Sequence, residues 1–127
     1  MPYEITYETT FAAAHAIVLP DGSLEPVHGH NWSVVVTVAA DALDGIETVM
    51  DFHELKRMVD GIIEPLHNRN LNHVDPFKGS PPDAVNPSAE SVAQWIGKGV
   101  AARLPERCRL MEVAVGEAPG CTARYRP

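Results

Sequence analysis

The sequence predicts an α+β domain, a four-stranded antiparallel sheet with two helices packed on one face. Residues 3–11 and 30–40 alternate at a period of two, while residues 51–66 and 88–104 carry apolar side chains at three- and four-residue steps. Two further short strand patterns, near 109–117 and 121–126, close the chain. Strands and helices are therefore segregated rather than interleaved, which argues against a parallel sheet. A length of 127 residues suits a single domain, 1–127, and is too short for two cores.

In the first strand Tyr3, Ile5, Tyr7 and Phe11 fall on one face and Glu4, Thr6, Glu8 and Thr10 on the other. In the second, Trp32, Val34, Val36, Val38 and Ala40 share a face, opposite Asn31, Ser33, Val35, Thr37 and Ala39. That second face carries no charge, so it is expected to meet protein rather than bulk water. Asp51 with Glu54 has capping-box spacing, and Phe52, Leu55, Met58, Val59, Ile62, Ile63 and Leu66 form one stripe behind it. A polar connection over 67–87 holds Asp-Pro, Gly-Ser-Pro-Pro and Asn-Pro punctuation. Asn86-Pro87-Ser88 then supplies a cap and a preset φ for the second helix, with Val92, Trp95, Ile96, Val100 and Leu104 inward. The last two strands turn around Pro119-Gly120. So few strands leave one sheet face and both edges uncovered, and a homo-oligomer is the economical way to cover them.

Composition narrows the partners. Ten basic against seventeen acidic residues give a formal net charge of −7. With no Lys/Arg run, neither nucleic acid nor an anionic membrane is an expected partner. No apolar stretch approaches the ~18 residues of a membrane span, and the Met1-Pro2-Tyr3-Glu4 start has no signal-peptide character, so a cytoplasmic location is expected. Cys108 and Cys121 are too few for a disulfide framework or a thiolate metal site.

The chemistry-bearing pattern is a set of three histidines: His15, then His28 and His30 around Gly29. Residues i and i+2 of a strand point the same way, so His28 and His30 aim at one point, and Gly29 leaves that approach uncrowded. His15 would complete three neutral nitrogen ligands, the set by which a catalytic zinc keeps a fourth position open. A His-x-His pair alone is as readily two half-exposed polar residues, so the surrounding sequence has to decide.

That surrounding sequence resembles the 6-pyruvoyl-tetrahydropterin synthase and 6-carboxy-tetrahydropterin synthase family. The resemblance rests on Phe11-Ala-Ala-Ala-His15, His28-Gly-His-Asn31, Met50-Asp-Phe-His-Glu-Leu-Lys56, Leu71-Asn72, Asn86-Pro-Ser-Ala-Glu90 and Val115-Gly-Glu117, in order over residues 11–125. It implies the tunnelling fold, in which such domains assemble into a barrel, usually a hexamer built as a dimer of trimers. It implies a site at subunit boundaries, Zn2+ as cofactor and a small-molecule reduced pterin as substrate. Family members process 7,8-dihydroneopterin triphosphate, and their products feed tetrahydrobiopterin, queuosine-type deazapurines or, in one variant group, folate.

Carried over by position, the resemblance makes His15, His28 and His30 the zinc ligands and Glu117 the carboxylate that anchors the pterin and joins the catalytic group. One carboxylate can accept two parallel hydrogen bonds from adjacent ring donors; a solvated strand-end glutamate is the plainer alternative. Ser88 and Glu90 are implied substrate contacts, although both also suit the start of a helix. Two departures stand out. Leu24 occupies the position of the family's catalytic cysteine, four residues before His-Gly-His, and Glu25 follows it. A variant group with glutamate at that spacing gives 6-hydroxymethyl-dihydropterin, which makes Glu25 a candidate proton carrier beside the reading of an ordinary loop glutamate. The family's Asp-His pair reads His67-Asn68 here. His67 is thus either a catalytic candidate or a histidine favoured at a helix C-terminus; His53 and His73 are assigned nothing. Three functions compete on this basis: a zinc-dependent pterin lyase, a same-fold enzyme on another purine-like ring, and a zinc- and pterin-binding paralogue without turnover.

Overall fold

A computed structural model describes residues 1–127. Strand β1 (Tyr3–His15) and strand β2 (His28–Ala40) pair antiparallel over their full length, from Tyr3 opposite Ala40 to His15 opposite His28. Helix α1 (Phe52–Ile63) follows, then a two-residue strand β3 (Arg69–Asn70), helix α2 (Ala89–Ala101), and strands β4 (Cys108–Ala118) and β5 (Cys121–Tyr125). The sheet order is β3-β1-β2-β4-β5. Both helices lie on one face, and Trp32, Val34, Val36, Val38, Val113 and Val115 meet Leu55, Val59, Val92, Ile96 and Val100 in the core. No helix is long and apolar enough to cross a membrane.

The sheet has five strands, not four. The extra one is β3, which pairs parallel with β1 at Ala13 and Ala14. It hangs on Asn68, whose φ of 58° turns the chain so that its N–H donates to Ala12 O at 2.6 Å. Two residues in a polar connection carry no periodicity, so no pattern announces them. Strand β1 also runs past the expected end, because Ala12, Ala13 and Ala14 cannot show an alternation that the backbone nevertheless keeps.

Helix starts differ in detail from expectation. The Asp51 carboxylate accepts from His53 N–H at 2.9 Å rather than closing a box with Glu54, and Phe52, in the first turn, is 59% exposed instead of joining the stripe. Ser88 alone caps α2, accepting from Ser91 N–H; Asn86 instead holds Val18, and the Pro87 carbonyl faces His15. Tyr7 donates to Asp60 at 2.7 Å and Lys56 pairs with the same carboxylate, tying α1 to β1. Partial burial pushes the Asp60 pKa up, but the Lys56 and Tyr7 hydrogen bonds outweigh it and hold the group below its ordinary value. Gly97 lets α2 close on β5, since a Cβ there would stand 2.6 Å from the Tyr125 ring.

A candidate metal centre at the end of the sheet

Side-chain parity and strand register assemble the site. His28 and His30 share a face of β2 with Trp32 and Val34, and His15, directly opposite His28 in the register, shares that face from β1. On β4 the pairing slips at Thr37/Val38, after which Val113, Val115 and Glu117 point to the same side. A second slip, between Gly116 and Ala118, leaves Glu117 as one residue more than β5 can pair. Bulges commonly re-aim a side chain in this way. Three neighbouring strands thus deliver His15, His28, His30 and Glu117, with one ligand atom from each within 4.8 Å of all the others.

Their proton positions favour a cation. His15 Nδ1 lies 2.7 Å from Pro87 O and His28 Nδ1 lies 2.8 Å from Pro26 O. A carbonyl only accepts, so each neutral ring carries its proton on Nδ1 and turns an Nε2 lone pair inward. Those two Nε2 atoms are 3.1 Å apart. Two lone pairs at that separation repel unless a proton or a metal ion lies between them. His30 Nε2 is buried with no hydrogen-bond partner, although Glu117 Oε1 is 3.0 Å away, because the approach is poorly aligned for a hydrogen bond. A buried, orphaned imidazole nitrogen beside two inward lone pairs and a carboxylate fits a divalent metal such as zinc. The backbone carbonyls on His15 and His28 fix the tautomer and orientation of each ring, the role that outer partners play toward metal-binding histidines.

The group is closed at one end and open at the other. His15 is 1% exposed, walled by Trp32 with ring centroids 4.8 Å apart, whereas His28 is 39% exposed. Trp32 N–H donates to Ala13 O, which fixes that wall. Beside His30, a cleft of about 540 Å³ runs along Ala12, Ala14, Gly29, Asn31 and Arg69. Gly29 faces this cleft, and a Cβ on it would meet nothing nearer than Ala13 O at 3.9 Å. Within the protomer, then, the histidines do not require glycine between them.

Two asparagines hold the chain that leaves His15. The Asn72 amide accepts from Ala16 N–H and donates to Ala16 O, both at 2.8 Å. Asn86 does the same to Val18, both at 2.9 Å. Each side chain behaves as a short piece of strand, and Asn86 thereby sets Pro87 O against His15. Both residues stood among the landmarks of the sequence, but their partners are more than fifty residues away and no local pattern reveals them.

The remaining candidates lie outside the cluster. Glu25 is half-buried, with Oε1 accepting from Ile17 N–H at 3.0 Å, on the loop between His15 and His28. Leu24, at the cysteine position, is exposed, while Cys108 is buried against Val49 O. The exposed His67 accepts from Ala12 N–H through Nδ1, so with Asn68 it clips the free edge of β1 and is not brought to His15, His28 and His30 of its own chain. Ser88 serves as the α2 cap and Glu90 is exposed in its first turn.

Comparison with known proteins identifies the family and the fold. The 6-pyruvoyl tetrahydropterin synthase family model matches residues 4–127. The dihydroneopterin monophosphate aldolase of Pyrococcus furiosus is 34% identical over 117 residues, covering 92% of this chain and 91% of the relative. The 6-carboxy-5,6,7,8-tetrahydropterin synthase of Bacillus subtilis is 31% identical over 129 residues, covering 98% and 86%. The structure of Caenorhabditis elegans 6-pyruvoyl tetrahydropterin synthase, 21% identical, matches with a TM-score of 0.83 over 98% of this chain and 95% of that one, a likeness of fold. This chain belongs to the 6-pyruvoyl tetrahydropterin synthase family.

Proposed function

We propose that this chain is a zinc-dependent lyase that cleaves the side chain of a dihydroneopterin phosphate and releases 6-hydroxymethyl-dihydropterin. The observation that carries this reading is a convergent His15, His28, His30 and Glu117 group in a chain with Leu24 where a thiol would stand. The 34% identity to a dihydroneopterin monophosphate aldolase supports cleavage over the other outcomes of the family.

The reaction balances without water or a redox partner. The hydroxyl on the second side-chain carbon loses its proton, and that carbon becomes an aldehyde as its bond to the first carbon breaks. The electron pair passes into the ring imine, and a proton returned to the first carbon leaves a hydroxymethyl group. Bound by the three imidazoles, zinc supplies Lewis-acid polarisation of the side-chain oxygens. Glu117 accepts the ring N–H donors and sets the ring's orientation. Glu25, three residues before His28 in a chain with Leu24 where a thiol would stand, is the residue assigned the hydroxyl proton; its carboxylate accepts from Ile17 N–H in the substrate-free chain and has to turn from it to act. The working unit is a homo-oligomer, supported by the helix-free outer face of the sheet, where Asn31 and Ser33 are exposed, and by the unpaired edge of β5.

The test is incubation of the zinc-loaded protein with dihydroneopterin monophosphate and triphosphate, with products separated and read by fluorescence. Multiple turnovers to 6-hydroxymethyl-dihydropterin are expected, and Glu25→Gln should lower kcat by roughly 10²–10⁴-fold. Binding of either substrate without turnover, or an unchanged kcat in the Glu25 variant, would contradict the assignment.

A further inference from the structure

Four ligand atoms converge here, although a catalytic zinc needs only three from the protein. Oε1 of Glu117 stands 2.8 Å from His15 Nε2, 3.0 Å from His30 Nε2 and 3.8 Å from His28 Nε2. Tetrahedral zinc with bonds of 2.0–2.1 Å sets neighbouring ligand atoms about 3.3–3.4 Å apart, and the three carboxylate distances straddle that value. A hydrogen-bonded ion pair would align with one imidazole. This oxygen is instead shared among three rings and misaligned with His30, whose Nε2 stays unpartnered. The bulge supplies the means, since Glu117 is the unpaired residue between Gly116 and Ala118 and is not fixed by ladder pairing.

We propose that Glu117 is the fourth metal ligand of the substrate-free protein and leaves the metal when a reduced pterin ring arrives. The proposal rests on the metal site and ring anchor of the preceding section. It adds that one carboxylate serves two partners that exclude each other. With three imidazoles and a carboxylate the metal is coordinatively closed, as in structural sites, and has no corner at which to activate water. Arrival of the ring draws Glu117 away and opens that corner to the substrate's side-chain oxygens. Because metal and ring compete for the same group, each weakens the other's hold on Glu117 by an equal factor.

The test replaces zinc with Co2+ in the full chain and reads the visible d–d bands, which lie to the red of pterin absorption. Wild type, Glu117→Ala and Glu117→Gln are compared, the last keeping the side-chain volume, with circular dichroism as the check on folding. Both variants should show a cobalt spectrum different from wild type. Metal affinity in Glu117→Ala should fall by no less than the roughly 10–100-fold typical of losing an outer-shell partner. A 6-methyl-dihydropterin, which has the ring but no side-chain hydroxyl, should move the wild-type spectrum and leave that of Glu117→Ala unchanged. Cobalt uptake with identical spectra and affinities in all three proteins overturns this inference and leaves the preceding one standing. Failure of wild type to take up cobalt or zinc overturns both.

Discussion

His15 owes its place to residues outside the four-residue cluster. Its Nδ1 proton is held by Pro87 O, and Pro87 is placed by the Asn86 clamp on Val18. Asn72 clamps Ala16, which is fully buried, so that its backbone groups have no water to turn to once the amide is gone. Leaving buried donors and acceptors unmade costs about 1–3 kcal/mol. Asn72→Ala is therefore expected to lose about that much stability in urea unfolding. Asn86→Ala, acting on the half-buried Val18, should lose less stability but more metal affinity, about tenfold or more, because it frees the carbonyl that orients a ligand. Equal effects of the two variants on both measurements would contradict this division. The positions themselves were legible as landmarks, but the roles were not, because a side-chain amide mimicking a strand is defined only by its distant partner.

At the scale of elements, the close approach of α2 to β5 depends on Gly97. A Cβ there would stand 2.6 and 2.8 Å from Tyr125 ring atoms and 3.3 Å from Leu110. Gly97→Ala must push β5 away or strain the ring, and overpacking of this kind costs about 1–3 kcal/mol. A lowered Tm with zinc binding retained is expected; an unchanged Tm would show that the sheet edge yields freely. The long elements were readable because burial imposes its own period, two in β1 and β2 and 3.6 in α1 and α2. From the His-x-His parity alone the convergence of two imidazoles followed, and the long β1–β2 register brought His15 to meet them. What escaped was whatever depends on irregularity. The two-residue β3 needs the left-handed turn at Asn68, and the aim of Glu117 needs a bulge. His67 faces the β1 edge because Ala12 has a free N–H to offer.

Taken as a whole, the molecule is a sheet whose helix-covered face is spent on a core and whose far end gathers His15, His28, His30 and Glu117. The opposite face has Asn31 and Ser33 exposed and no helix over it, and it is the surface that the proposed homo-oligomer would cover. The buried His15 and the half-exposed His28 make the cluster accessible from the sheet end while keeping its back dry. All of the proposed chemistry depends on a metal held by His15, His28 and His30. Native mass spectrometry reads that directly, since it weighs the intact assembly and counts its ions together. An oligomer carrying one zinc per chain is expected for wild type, with the metal lost and the assembly kept in His28→Ala. A wild-type protein with no stoichiometric metal, or a His28→Ala protein with its full complement, would contradict the account.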